Sequence, residues 1–493
     1  MQSTILHYLY EYVKFNRLTS IFFIVIGGVL AFKLLPRIRL PLSKWTVFIL
    51  ILVLGLFLRI AWLGYSAHTP QHEWNATHML ENDRINVHAI ELAQQGIWFH
   101  NMDGTPSGRR PIGYPTALAL VYKIFGVDLR VAWAFNLMLY ALTIFFLFGM
   151  AEKIFGEKIA LITSLLFAIY PMSIYSIKLL TDEHLFLPMW YAGLFMLFLI
   201  LDGRKITLDW LWLGLIFGYA TMTRTHSIFM PFIAGLTFWL LKRSWKEVLG
   251  KLILVALVMQ IINLPWVIRN YRAWKVPVLY ATTSIPIYGS FISTATAESQ
   301  GRIPRKGEPN YSPEFDAAEQ SGNEGLMHQI ASREMRKWIV THPLQFVKIG
   351  SSHLLDFMCF NRKSGVWAIW HQYYPGSFDP SRPLPDNLRK ALEECAFAFY
   401  YVVFFTWLFG SVVLVCHWKT LSPLTQRGLI VLAGCFMLWF LGHTVVFPDR
   451  KYRFPLEPLM LITTAYFFSI LSWPQFLETW LKKRLSSKMP SSS

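Results

Sequence analysis

Charge is scarce in this 493-residue chain: only 15% of its residues are Asp, Glu, Lys or Arg, against roughly 25% in soluble domains. Too few groups seek water for the surface of an ordinary soluble globule. Cysteine is scarce too. Cys359, Cys395, Cys416 and Cys435 have no metal-ligand spacing, and the last two fall in or at the ends of apolar runs, which excludes a disulfide framework. Internal repeats of the transporter kind are missing. Acidic residues number 29 against 46 Lys and Arg, but the basic ones sit in short clusters between apolar runs. That pattern orients membrane spans and argues against a nucleic-acid ligand.

What is abundant is apolar and aromatic: 54% hydrophobic residues, including 39 Phe, 20 Trp and 21 Tyr. Apolar runs fall near 18–35, 45–64, 130–150, 159–176, 185–201, 208–222, 226–241, 249–268, 396–416, 428–446 and 455–473. Crossing the hydrocarbon takes about 20 residues, so the shorter runs must borrow flanking residues. No small-residue cleavage site follows the first run, so residues 18–35 are expected to be a retained anchor. The pattern predicts an all-α integral membrane protein of about 10–12 spans.

Basic clusters set the orientation. Lys33, Arg37, Arg39 and Lys44, then Arg204 and Lys205, then Lys242, Arg243, Lys246 and Lys251, then Lys419 and Arg427, and finally Lys482, Lys483 and Arg484 all read as cytoplasmic. They agree only if 113–126, about 14 residues, is an interfacial helix and not a span. Three outer segments follow: 65–129, 176–184 and 268–395. The last contains the Gly- and Pro-rich stretch 299–325, expected to be a mobile loop able to close over a ligand. After it, 326–358 reads as amphipathic helices on the outer surface.

Chemistry-bearing residues gather in those segments. The first loop carries Glu73, Glu81 and Asp83 as candidate bases, then Arg109, Arg110, Pro111, Gly113, Tyr114 and Pro115. Taken singly, the acids are as readily solvated loop residues, and the two arginines snorkelling charges. The second, TDEHLF, puts Asp182, Glu183 and His184 beside Lys178. Paired carboxylates can share base work, position an acceptor or hold a divalent cation. Arg224 with His226, then Arg269, Tyr271 and Arg272, then Arg450, Lys451, Tyr452 and Arg453 form three outer clusters. They run against the positive-inside rule. An anionic ligand would explain them, since Arg presents a planar fork suited to phosphate; pairing with the outer acids or lipid headgroups is the plainer alternative.

The acidic first loop, RRPIGYP, TDEHLF, PWVIRNY and RKYRFPLEP, in that order and topology, resemble the GT-C glycosyltransferases. The likeness is to bacterial membrane enzymes of the protein O-mannosyltransferase and aminoarabinose transferase type, over about residues 45–285 and 428–473. The resemblance implies a GT-C-like bundle with extracytoplasmic loops and interfacial helices. It implies transfer of a sugar from a polyprenyl-phosphate donor to a glycan, lipid or protein hydroxyl on the outer face of a bacterial inner membrane. It places the general base on Asp83 or Glu81 and the second acid on Glu183 or Asp182. Where the family often has a further acid or Tyr, Ile85 and Val87 stand instead. Lys178, Arg109, Arg110, Tyr114, Arg224, His226, Arg269, Tyr271, Arg272, Arg450, Tyr452 and Arg453 are the expected substrate contacts, with no cofactor required and a divalent cation left open. Direct displacement would invert the anomeric centre. A saccharide flippase and a polysaccharide polymerase or ligase are the alternatives. The chain divides into an anchor and connector (1–44), a core (45–273), an outer loop with amphipathic helices (274–395) and C-terminal spans with a basic tail (396–493).

Overall fold

The computed structural model describes residues 43–66, 85–101, 104–108, 110–280, 306–307, 311–358, 386–445 and 450–470. The anchor 18–35, the first-loop acids Glu73, Glu81 and Asp83, Arg109 and the basic tail lie outside the described residues.

The chain is an all-α membrane protein. In order come α1 (Lys44–Ser66), α2 (Ile85–Gln95), α3 (Gly113–Phe125), α4 (Leu129–Phe155), α5 (Glu157–Ala168), α6 (Pro171–Tyr175), α7 (Glu183–Leu201), α8 (Asp209–Thr223), α9 (Met230–Leu240) and α10 (Trp245–Trp274). The segment between α10 and the C-terminal helices holds α11 (Pro313–Gln320), α12 (Glu324–Thr341) and α13 (Pro343–Met358). Three more helices, α14 (Asp386–Cys416), α15 (Pro423–Val445) and α16 (Glu457–Ile470), complete the described chain.

Six of these, α1, α4, α7, α10, α14 and α15, are long and apolar enough to cross a bilayer. The run at 159–176 forms a bent pair of apolar segments: α5 ends at Ala168, Pro171 opens α6, and the two segments are bent by 51°. Proline cannot supply the N–H that a continuous helix needs. Runs 208–222 and 226–241 become helices of 15 and 11 residues, and the described part of run 455–473 is helical from Glu457. Among the described residues these shorter apolar helices stand beside the six long ones in an all-α membrane bundle.

Contacts between helix ends define two faces. Lys44 Nζ meets Glu152 at 2.6 Å, Lys153 meets Asp202 at 2.5 Å and Lys251 meets Asp209 at 2.5 Å. Thr425 Oγ1 donates to the Ile154 carbonyl at 2.7 Å. The starts of α1, α8, α10 and α15 thus share one face with the ends of α4 and α7, and with the basic connectors. The opposite face collects the end of α1, α2–α3, the α5–α7 connection, the α8–α9 turn, the end of α10 and the α15–α16 turn.

On that second face α3 lies as a 13-residue helix, burying Tyr114, Leu118, Ala119 and Tyr122 and exposing Leu120, Ile124 and Phe125. Gly113 is required there: a Cβ would come within 2.9 Å of the Met222 carbonyl carbon and the Thr223 nitrogen. Residues 311–325 of the Gly- and Pro-rich stretch are less loop-like than their composition suggests. Ser312 Oγ accepts from Phe315 N at 3.2 Å and starts α11. Phe315 is then buried against Met327, Ile330 and Ala331 of α12.

Candidate functional site

At the second face a carboxylate is fully buried between two cations. Glu183 opens α7, where an acid complements the helix dipole, and none of its surface reaches solvent. Its Oε1 accepts from Arg224 Nη2, and Lys451 Nζ stands 3.9 Å from the same oxygen. Arg224 caps the C-terminus of α8 in an extended conformation, φ −150°. Lys451 comes from the 3-10 turn Arg450–Arg453 before α16. The Arg224 guanidinium also lies 4.8 Å from the Tyr452 ring centre. Three separate loops therefore meet at one carboxylate, with Asp182 preceding it and also buried.

Beneath this cluster runs an aromatic column. His226 stacks on Trp439 at 4.5 Å and on His443 at 4.8 Å, and His443 stacks on Phe357 at 4.2 Å. His443 Nδ1 sits 2.8 Å from the Trp439 carbonyl, the geometry of an Nδ1–H donor.

The segment that carries Asp182 and Glu183 is held by its carbonyls. Asn136 Nδ2 donates to Ile177 O at 2.9 Å and Leu179 O at 3.1 Å, while Tyr114 OH donates to Asn136 Oδ1 at 2.7 Å. Burial pushes the Tyr114 phenol well above its ordinary pKa, with Tyr122 and the negative charge of Asp182 adding to the shift. The phenol is thus fixed as a donor. Trp133 Nε1 donates to Lys178 O at 3.2 Å, and His184 Nε2 lies 2.9 Å from Ser176 O. Lys178 itself is buried.

Further back, Arg59 of α1 is completely buried. Its guanidinium donates to Gly55 O (2.8 Å), Ala168 O (2.9 Å) and Ser173 Oγ (2.7 Å), and it lies flat on Tyr140, 3.5 Å from the ring centre. The last carbonyls of a helix have no partners within it. Arg59 supplies them where α5 breaks.

The other expected contacts are engaged differently. Arg269 donates to Ser107 O (2.9 Å) and Phe99 O (2.6 Å) and so binds the first loop to α10. Arg453 donates to Glu457 Oε1 (2.7 Å) and Phe357 O (2.8 Å) and lies over the Tyr400 ring at 3.8 Å. Burial opposes its charge, but Tyr400, Glu457 and Tyr170 more than offset this and raise its pKa above the ordinary arginine value. Glu457 also accepts from Tyr170 OH. Tyr271 and Arg272 are exposed and Arg110 is half-buried. Arg450 belongs to the 3-10 turn that bears Lys451. Among the described residues no group of three or more His, Cys, Asp or Glu is placed to hold a metal ion.

Sequence reasoning missed Arg59, Asn136, Glu324 and Glu457, each of which has a partner far away in the chain. Glu324, at the start of α12, is buried and accepts from Gly108 N at 2.7 Å and Asn101 Nδ2 at 3.2 Å. It latches α12 onto the loop leading to Arg110. Glu324→Ala is expected to cost about 1–3 kcal/mol, the penalty of a buried donor left unmade. Hydrogen exchange should then quicken at the Gly108 amide; unchanged exchange there would refute the latch.

Residues 109–268 match the family model described as dolichyl-phosphate-mannose-protein mannosyltransferase. The matched stretch holds Tyr114, Lys178, Asp182, Glu183, Arg224 and His226 and bears out the resemblance to GT-C glycosyltransferases. A search of curated proteins found no match. Among solved structures, the chain is similar to the archaeal oligosaccharyltransferase AglB from Archaeoglobus fulgidus in complex with an inhibitory peptide and a dolichol-phosphate. The identity is 13%, over 91% of this chain and 52% of that one, with a TM-score of 0.48. The apo form of the Archaeoglobus fulgidus oligosaccharyltransferase gives 14%, 92%, 52% and 0.48. ArnT from Cupriavidus metallidurans bound to undecaprenyl phosphate gives 16% identity over 85% of this chain and 78% of that one, with a TM-score of 0.38. The chain spans about half the length of the archaeal enzyme.

Proposed function

We propose that this protein is a glycosyltransferase that moves a sugar from a polyprenyl-phosphate carrier to an acceptor hydroxyl on the extracytoplasmic face, with inversion. The observation that carries this reading is the buried Glu183 held by Arg224 and Lys451, on the face opposite the basic connectors. Glu183 and Arg224 fall within the family match.

In the proposed reaction the acceptor oxygen attacks the anomeric carbon and the bond from that carbon to the phosphate oxygen breaks. The electron pair leaves with the lipid phosphate. The acceptor's proton passes to a first-loop carboxylate, Asp83 or Glu81, acting as general base. The departing phosphate needs fixed positive charge more than a proton, and preorganised cations supply it without reorganisation. Arg224 and Lys451 are best placed for this, because the donors of Arg269 and Arg453 go to backbone carbonyls and Glu457. Arg272, Arg450, Arg109 and Arg110 remain candidates for the outer part of the carrier headgroup.

The test is transfer in vesicles that contain a polyprenyl-phosphate sugar and an acceptor pool from the cell envelope. Wild-type protein is expected to yield a new glycosidic bond and free polyprenyl phosphate. Asp83→Asn or Glu81→Gln should abolish transfer with insertion intact. Full activity in both single variants and the double would sink the base assignment, and donor movement without product would indicate a flippase.

A further inference from the structure

The span α10 carries a polar side chain where the bilayer offers it nothing. Gln260 sits nine residues from Lys251 at one end of the apolar stretch and nine from Arg269 at the other, about 13 Å along the helix in each direction. Its side chain is exposed, faces away from the bundle and makes no hydrogen bond among the described residues. Two methylenes cannot carry the carboxamide to either interface. A polar group left unpaired in hydrocarbon is costly.

The surroundings of Gln260 are ordered. It lies in a shallow apolar groove of about 380 Å³ lined by Leu252, Ile253, Ala256, Leu257, Ile261 and Leu264. Gly250, Ile253, Leu257, Gln260, Leu264 and Val267 recur at steps of 3, 4, 3, 4 and 3. That spacing is the seam of a left-handed helix pair, in which one polar residue fixes register.

We infer that this face of α10 is the contact between two copies of the protein, paired about an axis along the membrane normal through a Gln260–Gln260 hydrogen bond. Hydrogen-bond complementarity selects a second copy. A two-fold interface sets each residue opposite its own equivalent at the same depth. A carboxamide both donates and accepts, so it satisfies itself there, and lipid chains offer neither group. The inference stands on the membrane fold alone and is independent of the proposed chemistry.

The experiment uses the full chain in its native membrane, with its four cysteines replaced by serine. Leu257→Cys and Leu264→Cys are expected to give an oxidative cross-link of twice the protomer mass. Val53→Cys, lipid-facing on α1, should give none. In lipid bilayers, energy transfer between labelled copies titrated against protein density should show association about 3- to 30-fold weaker for Gln260→Leu, the range for one interhelical hydrogen bond. Gln260→Asn should restore most of it. Equal cross-linking at Val53→Cys, adducts only with proteins of other mass, or association unchanged in Gln260→Leu would each overturn the pairing.

Discussion

Glu183→Gln is expected to lower sugar transfer by about 10²- to 10³-fold, the range for losing one preorganised electrostatic element, while the protein still inserts. Two cations, Arg224 and Lys451, converge on this one carboxylate, which is shut off from solvent. Removing its charge leaves them to repel each other and to misplace whatever anion they bind. Glu183→Ala should add a stability cost of about 3–5 kcal/mol, because breaking a buried pair from one side strands the other charge. The two effects separate in a double variant. Glu183→Leu with Arg224→Leu removes both charges, so thermal stability should recover towards wild type while transfer stays lost. Thermal unfolding in detergent and product formation in vesicles read the two quantities. Wild-type transfer in Glu183→Gln would remove this carboxylate from the site.

The sequence announced the spans and their order well, because apolar length is a local property and each run stands between charged punctuation. It also put Glu183, Arg224, Lys451 and Tyr452 on one face without joining them: Glu183 and Arg224 are 41 positions apart, and Lys451 comes from a third loop. Burial sorts the arginines in a way that composition does not. Arg269 and Arg453 look like phosphate ligands in a motif, yet both spend donors on backbone carbonyls. Arg59 is a single charge near the end of an apolar run. Its role depends on a helix break more than 100 residues later, which periodicity alone does not place against α1. Stretch 299–325 hid α11 for the opposite reason: a loop-like composition carries a cap at Ser312 and one buried aromatic, Phe315.

The position of Glu183 is traced back to Arg59, and Arg59→Met is expected to reduce kcat by about 10²-fold with a much smaller change in KM. Two opposing effects act on stability. Methionine avoids burying a charge, which in comparable interiors is neutral or favourable. It also leaves the Ala168 carbonyl and the Ser173 hydroxyl without the donor that fixed them, at about 1–3 kcal/mol for each group stranded. These partly cancel, so the melting temperature should move by only a few degrees. Geometry does not cancel. Arg59 and, one turn on, Trp62, whose Nε1 donates to Tyr175 O at 3.2 Å, hold the break after α5. From there the chain runs through Ser176–Lys178, pinned by Asn136, directly into Asp182 and Glu183. A shift of about 1 Å in a positioned group can cost 10²-fold in rate. Arg59→Lys keeps the charge but loses the planar fork that reaches two carbonyls and a hydroxyl at once, so it should rescue only part of kcat. Equal kcat in Arg59→Met and wild type would show that α5 and α6 hold their bend without it. A parallel collapse of kcat and melting temperature would reduce Arg59 to a folding residue.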